Sequence, residues 1–254
     1  MKIYFLGTGT SQGIPVIGST HPVCLSQDPK DTRLRVSIWV VWDGYSFVVD
    51  CGPDFRMQML QAICPKIDAI FFTHEHADHT AGLDDIRPFF FKQGNIPIYA
   101  HQRVLRNLEK RFDYIFETEN KYPGAPSVEE REVVNDVPLT FGDKTIVPID
   151  ALHGNLQVFG YRFGDFAYLT DIKTIADSEL EKLQNLEVLV VNALRDEAHD
   201  THFNLEEALA FIQKIQPKKT YLTHISHVFG FHQEIQARLP ENVFVAYDNL
   251  EINI

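Results

Sequence analysis

Residues 66–83 read K-I-D-A-I-F-F-T-H-E-H-A-D-H-T-A-G-L, and this stretch decides the fold. The run from Ile67 to Phe72 ends at Thr73, and His74, His76, Asp78 and His79 follow directly. A short apolar run followed by a polar burst reads as a buried strand emptying into a loop. Four such side chains are not desolvated together unless a cation compensates them. Neutral imidazole and carboxylate are the donors that zinc, manganese and iron accept. The helical zinc-protease signature H-E-x-x-H is not met, because Asp78 stands where its second histidine belongs.

The local pattern recurs further along. Phe72-Thr73-His74, Leu169-Thr170-Asp171 and Leu222-Thr223-His224 each set a ligand type after an apolar strand and a threonine. Strands lying side by side would gather these ends at one sheet edge, where rigid elements hold a site well. With His153 the candidate ligands are His74, His76, Asp78, His79, His153, Asp171 and His224. That is too many for one ion and enough for two, about 3.5–4 Å apart with a shared carboxylate and a hydroxide between them.

The remaining chain is that of an ordinary globular protein. It has 254 residues, 44% hydrophobic and 23% charged, enough for a large core. A net charge of −12 argues against nucleic-acid backbone binding, which needs a basic face. The N-terminus M-K-I-Y-F-L-G is too short in apolar residues for a signal peptide, and no run reaches membrane-span length. Cys24, Cys51 and Cys64 form no C-x-x-C pair, so a cytoplasmic location without disulfides is the expectation.

In chain order, Lys2 to Leu6 reads as a strand ending in G-T-G-T-S-Q-G. No G-K-[ST] follows, so this is read as a tight turn with close backbone approach rather than a phosphate loop. Val36–Trp42 and Tyr45–Asp50 are strands joined by Asp43-Gly44, a hairpin signal. C-G-P-D-F-R-M-Q-M-L reads as a helix with proline at its start. Helices are expected over Leu83–Phe91 and Arg103–Phe112, the ions of the latter forming a solvated face, with a short strand at Ile96–Tyr99. Tyr114–Val137 reads as an irregular polar excursion of the kind that forms lids. Strands follow at 145–152, 158–163 and 166–170, then a helix at 176–183 and a strand at 188–191. Asn204 with Glu207 gives a capping-box spacing for a helix whose stripe is Leu205, Ala208, Leu209, Ile212 and Ile215. After the strand at 220–223 come a helix and two short strands.

The ligand pattern T-H-E-H-A-D-H, with a later lone histidine, a strand-ending aspartate and a final histidine, resembles that of the metallo-β-lactamase-fold hydrolases. The resemblance implies an α/β fold, a four-layer αββα sandwich, over one domain of residues 1–254. It assigns His74, His76 and His153 to one ion, Asp78, His79 and His224 to the other, and Asp171 to both. His76, where a glutamate would stand in the di-iron flavoproteins, disfavours that branch.

L-G-T-G-T-S-Q-G-I-P-V, T-R-L-R-V-S, L-T-H-I-S-H and T-H-F-N-L-E-E-A-L resemble the cyclic phosphodiesterases of the carbon–phosphorus lyase pathway, the PhnP-like branch. By this resemblance His202 is the non-ligand catalytic histidine, and the metal ligand Asp78 is counted with it as catalytic. As an imidazolium His202 could contact phosphoryl oxygens or protonate the leaving oxygen, and His199 reads as a surface bystander. The branch also carries a structural zinc. Here Cys24 and His227 match its ligands, His21 stands where a cysteine is usual, and Ser19 replaces another. Two divalent ions, zinc or manganese with iron as a further choice, are thus the cofactors implied; at the third site a structural zinc, a water or an empty site are the alternatives.

Two ions, two carboxylates and a hydroxide leave roughly one positive charge, suited to a phosphodiester monoanion. The expected activity is hydrolysis of a small or cyclic phosphodiester. Arg33, Arg35, Arg56 and Arg87 are candidates for its phosphate or for structural ion pairs. Three other readings compete: a tRNA 3′-processing endonuclease, a thioester, lactone or lactam hydrolase, and a non-catalytic metal-binding module. The first needs a basic RNA-clamping arm, whereas residues 114–137 carry Glu117, Glu119, Glu129, Glu130 and Glu132.

Overall fold

Asp43 and Gly44 close the first hairpin with φ of 47° and 89°, the paired left-handed geometry that a two-residue turn between twisted strands requires. In the computed structural model, which describes residues 1–254, strands β1 (Lys2–Gly7), β2 (Ser37–Trp42), β3 (Tyr45–Val49), β4 (Ala69–Phe71), β5 (Ile96–Ala100) and β6 (Val128–Glu132) belong to one sheet. Strands β7 (Leu139–Phe141), β8 (Lys144–His153), β9 (Leu156–Phe163), β10 (Phe166–Tyr168), β11 (Val188–Asn192), β12 (Lys219–Thr223) and β13 (Val243–Val245) form a second, and β14 (Glu251–Asn253) returns to the first. The spatial orders are β14-β1-β2-β3-β4-β5-β6 and β13-β12-β11-β10-β9-β8-β7. Both sheets are mixed: β3 to β6 run parallel to one another, as do β10 to β13, and the remaining pairs are antiparallel.

The helices are α1 (Phe55–Ala62), α2 (Ala77–Thr80), α3 (Arg87–Gln93), α4 (Gln102–Arg111), α5 (Asp113–Phe116), α6 (Asp177–Leu180), α7 (Leu205–Ile215) and α8 (His232–Ala237). The chain divides into two compact units. The first comprises Met1–Gly7, Arg35–Val133 and Asn249–Asn253; the second comprises Thr8–Leu34, Val134–Asp248 and Ile254. Each unit holds one sheet and its own apolar core. In the first, Val48, Phe55, Ile70, Phe72, Ile98, Leu105 and Leu108 pack together. In the second, Ile149, Leu169, Leu189, Val191, Phe211 and Leu222 do so. This is the α/β two-sheet content expected from the sequence.

Several local expectations hold with adjusted bounds. Asn204 accepts from the Glu207 amide while the Glu207 side chain accepts from the Asn204 amide, a complete capping box. The buried side of α7 is carried by Ala208, Phe211 and Ile215, with Leu205, Leu209 and Ile212 half-buried at its flank. Pro53 lies in the turn before α1 rather than in it; Asp54 is the N-cap, and its carboxylate is taken by the Arg35 amide at 2.8 Å and guanidinium at 3.1 Å. Gly7 fulfils the close-approach reading, since a Cβ there would lie 2.0 Å from the Arg35 carbonyl oxygen.

The excursion at 114–137 is more ordered than its composition suggests. It contains most of α5 and the edge strand β6, V-E-E-R-E, paired parallel to β5. Tyr122 and Gly124 are tethered to Arg87, which also pairs with Asp84, and Tyr114 donates to Asp84 at 2.9 Å. No helix is long and apolar enough to cross a membrane.

Candidate metal centre

In the first unit, the buried strand β4 delivers Thr73 and the H-x-H-x-D-H loop. Asp50 follows β3 in the left-handed region, φ 64°, so its carboxylate turns back under that loop. The carboxylate accepts from the Thr73 amide at 2.8 Å and from its hydroxyl at 2.9 and 3.1 Å. His79 Nδ1 lies 2.7 Å from Asp50 Oδ2, both side chains being fully buried. Burial pushes the Asp50 carboxyl up, while His79 and Thr73 pull it back toward the ionised form. Donation from Nδ1–H to Asp50 leaves His79 Nε2 as the lone-pair atom, the arrangement that orients a ligating imidazole. That Nε2 is 3.3 Å from Asp78 Oδ2, and His74 Nε2 is 2.9 Å from His76 Nδ1.

The loop closes tightly on Cys51 and Gly52. The Cys51 amide donates to the His79 carbonyl, and the Gly82 amide donates to the Cys51 carbonyl. A Cβ on Gly52 would sit 2.0 Å from the Asp78 carbonyl oxygen, and one on Gly82 would sit 2.1 Å from the Gly52 carbonyl oxygen. C-G-P therefore shapes the ligand loop as well as leading into α1.

In the second unit, His153 ends β8, and its Nδ1 lies 2.8 Å from the Thr201 carbonyl, which leaves Nε2 as the candidate ligand atom. Asp171 and His224 follow β10 and β12 in left-handed geometry, φ 57° and 58°. Asp171 Oδ2 accepts the Thr170 hydroxyl at 2.7 Å, and Oδ1 stands 3.2 Å from His224 Nε2. Asn192, at the end of β11, accepts from the Ile172 amide and donates to its carbonyl, which fixes the turn after Asp171. His153, Asp171 and His202 form a buried group whose ligand-type atoms lie within 4.8 Å of one another.

These spacings test whether the donors suit metal ions. Two atoms each about 2.0–2.1 Å from one ion lie roughly 2.9–3.4 Å apart at octahedral or tetrahedral angles. The pairs His74–His76, Asp78–His79 and Asp171–His224, at 2.9, 3.3 and 3.2 Å, all fall in that range. The donor set fits divalent zinc, manganese or iron.

His202 differs: its Nδ1 is 3.7 Å from Asp171 Oδ1, longer than such an edge, and makes no hydrogen bond although buried. Its ring packs on His153 and His224 at 4.4 and 4.7 Å between centroids. Burial pushes its pKa down to about 3 against the pull of Asp171, with His224, His153 and His199 adding repulsion. Burial thus disfavours, in the free protein, the imidazolium form expected of His202 during reaction.

His199 lies 5.2 Å from the His202 ring and accepts from the Thr201 amide at 3.3 Å. Elsewhere in this unit the His21 and His227 rings meet edge-on at 5.2 Å, and Cys24 Sγ accepts from the Val16 amide at 3.4 Å. His21 Nδ1 caps the turn Pro22–Leu25 that carries Cys24. Arg33 is buried against Thr8, the Ala246 carbonyl and His232, while Arg35 and Arg87 pair with Asp54 and Asp84. Asp50 is the site-forming residue that sequence reading passed over. Its signal was its place after an apolar strand, which it shares with Asp171.

The model of the beta-lactamase superfamily domain matches residues 45–225. The chain belongs to that superfamily and has the metallo-β-lactamase fold. Within it the chain is a member of the PhnP family: the crystal structure of a diphosphatase from that family is 39% identical over 100% of this chain and 97% of its own, with a TM-score of 0.92. Among curated proteins, the octanoyltransferase of Porphyromonas gingivalis is 40% identical over 253 residues, 99% of this chain and 51% of that protein. The ribonuclease Z of Bacillus licheniformis is 33% identical over 168 residues, 64% of this chain and 48% of that protein. The chain thus spans about half the length of these curated relatives.

Proposed function

We propose that the chain is a dinuclear metal-dependent hydrolase acting on a small or cyclic phosphodiester. The observation that carries this reading is the set of three donor pairs at coordination spacing, with His202 beside Asp171 at the longer distance of 3.7 Å. His74, His76 and His153 would hold one ion, Asp78, His79 and His224 the other, and Asp171 both. Bound divalent ions would acidify a water and neutralise charge growing on phosphoryl oxygens.

The chain's own residues supply the rest. Asp50 and the Thr201 carbonyl fix the tautomers of His79 and His153. His202 would contact a phosphoryl oxygen through its ring N–H, or hand a proton to the departing oxygen once substrate charge favours the protonated ring. The PhnP-family relative is by name a diphosphatase, and a P–O–P anhydride offers the same electrophilic phosphorus as a diester. Five glutamates between residues 117 and 132, within a net charge of −12, count against an RNA substrate.

The test is a panel run with zinc- or manganese-loaded protein and with chelated protein. It contains bis-p-nitrophenyl phosphate, a ribose cyclic phosphate, a P–O–P substrate, a tRNA precursor, an octanoyl thioester and a lactam. Chelator-sensitive turnover of the small phosphorus substrates supports the reading. Turnover confined to the thioester or lactam, or to RNA, contradicts it.

A further inference from the structure

We propose that Arg103, assisted by Arg111, is a positioning residue for the ion taken by His74 and His76; this rests on the dinuclear reading above. One residue, Glu75, joins the two histidines, whose ring nitrogens, 2.9 Å apart, must stay at coordination spacing to share an ion. Glu75 is gripped from α4. Arg103 Nη2 donates to Oε2 at 3.1 Å, and its Nε lies 2.9 Å from Oε1, so the guanidinium pairs with the carboxylate through one hydrogen bond and close charge. Arg111 Nη1 donates to the Glu75 carbonyl at 3.2 Å and to Thr80 Oγ1 at 2.6 Å. Thr80 Oγ1 in turn donates to the His76 carbonyl at 2.8 Å.

Both ends of the ligand loop are therefore fastened to one rigid element. Helix α4 is itself anchored in the core through Val104, Leu105 and Leu108. Its charges do more than face solvent, which is what periodicity alone suggests. Removing Arg103 would release the side chain of the residue between the two ligands and leave a mostly buried, unpaired carboxylate next to both of them. An ordinary ion pair would affect folding alone; a positioning pair changes metal affinity without changing the fold.

The experiment compares wild type, Arg103→Met, Arg103→Lys, Glu75→Gln and Glu75→Gln/Arg103→Met. Zinc affinity is read by competition with a chromophoric chelator, and thermal midpoints are read on the metal-free proteins. Arg103→Met is expected to weaken one of two zinc sites by about 10- to 100-fold, the usual effect of losing a residue that orients ligands. Lysine restores part of the affinity, and the double variant binds no worse than Arg103→Met, because the two residues act as one pair. Glu75→Gln gives the same loss should Arg103→Met fail to fold. Arg103→Met and Glu75→Gln binding both zincs within twofold of wild type overturns the inference and leaves the dinuclear reading intact. Wild-type protein that takes up no zinc overturns both.

Discussion

Asp50 Oδ2 and His79 Nδ1 meet at 2.7 Å with neither side chain exposed, across 29 residues of sequence. The strand β3 ends at Val49, and the left-handed turn at Asp50 aims its carboxylate at the hydroxyl of Thr73 and the ring of His79. The ligand loop is thus held by a carboxyl group that never reaches solvent.

Asp50→Asn tests that contact. The amide keeps the shape but loses the negative charge that favours the Nδ1–H tautomer of His79. The variant is expected to fold, with one metal site weakened by about 10- to 100-fold, read by chelator competition.

Gly52→Ala tests the closure of the loop. The added Cβ meets the Asp78 carbonyl at 2.0 Å, and the obstacle is backbone that cannot rotate away. Unfolding in urea should show a loss of about 1–3 kcal/mol or more, accompanied by weaker metal uptake as Asp78 is displaced.

His202→Ala separates chemistry from metal binding. It should retain both ions by elemental analysis and lose about 100- to 10,000-fold in kcat on the preferred phosphorus substrate, the range for removal of a proton-transfer group. Full activity would remove His202 from the mechanism.

A pH test falls on His232, away from the ligands. Burial holds its pKa down to about 4, with Arg33 and Lys30 pushing the same way and Asp28 and Asp31 opposing. Arg33 Nη2 sits 3.3 Å from its Nδ1, and the Tyr247 ring meets it edge-on. The folded value lies below the ordinary 6.5, so the native state resists protonation; stability is fully present above 6.5 and is lost as pH falls toward 4. Relative to His232→Asn, wild type should lose about 2–3 kcal/mol between roughly pH 7.5 and 4.5 in urea unfolding.

The H-x-H-x-D-H loop was legible in the sequence as a candidate metal site because its donor side chains crowd into one apolar-then-polar boundary. Asp171 and His224 were legible because each repeats the strand–threonine context. Strand β6 was not, since V-E-E-R-E buries little and is held to β5 through its backbone at an exposed edge, where charge is tolerated. The role of Asp50 was hidden for another reason: a left-handed residue and a partner 29 positions away leave no mark in periodicity. Nor could periodicity show that Arg103 reaches Glu75, as both residue types are at home on a solvated face.

The most direct measurement is a crystal structure of zinc- or manganese-loaded protein with the ions located by anomalous scattering. The account predicts two peaks about 3.5–4 Å apart. One should be bound by His74, His76 and His153, the other by Asp78, His79 and His224, with Asp171 touching both and His202 touching neither. A single ion, or one that takes His202 as a ligand in place of His224, would contradict it.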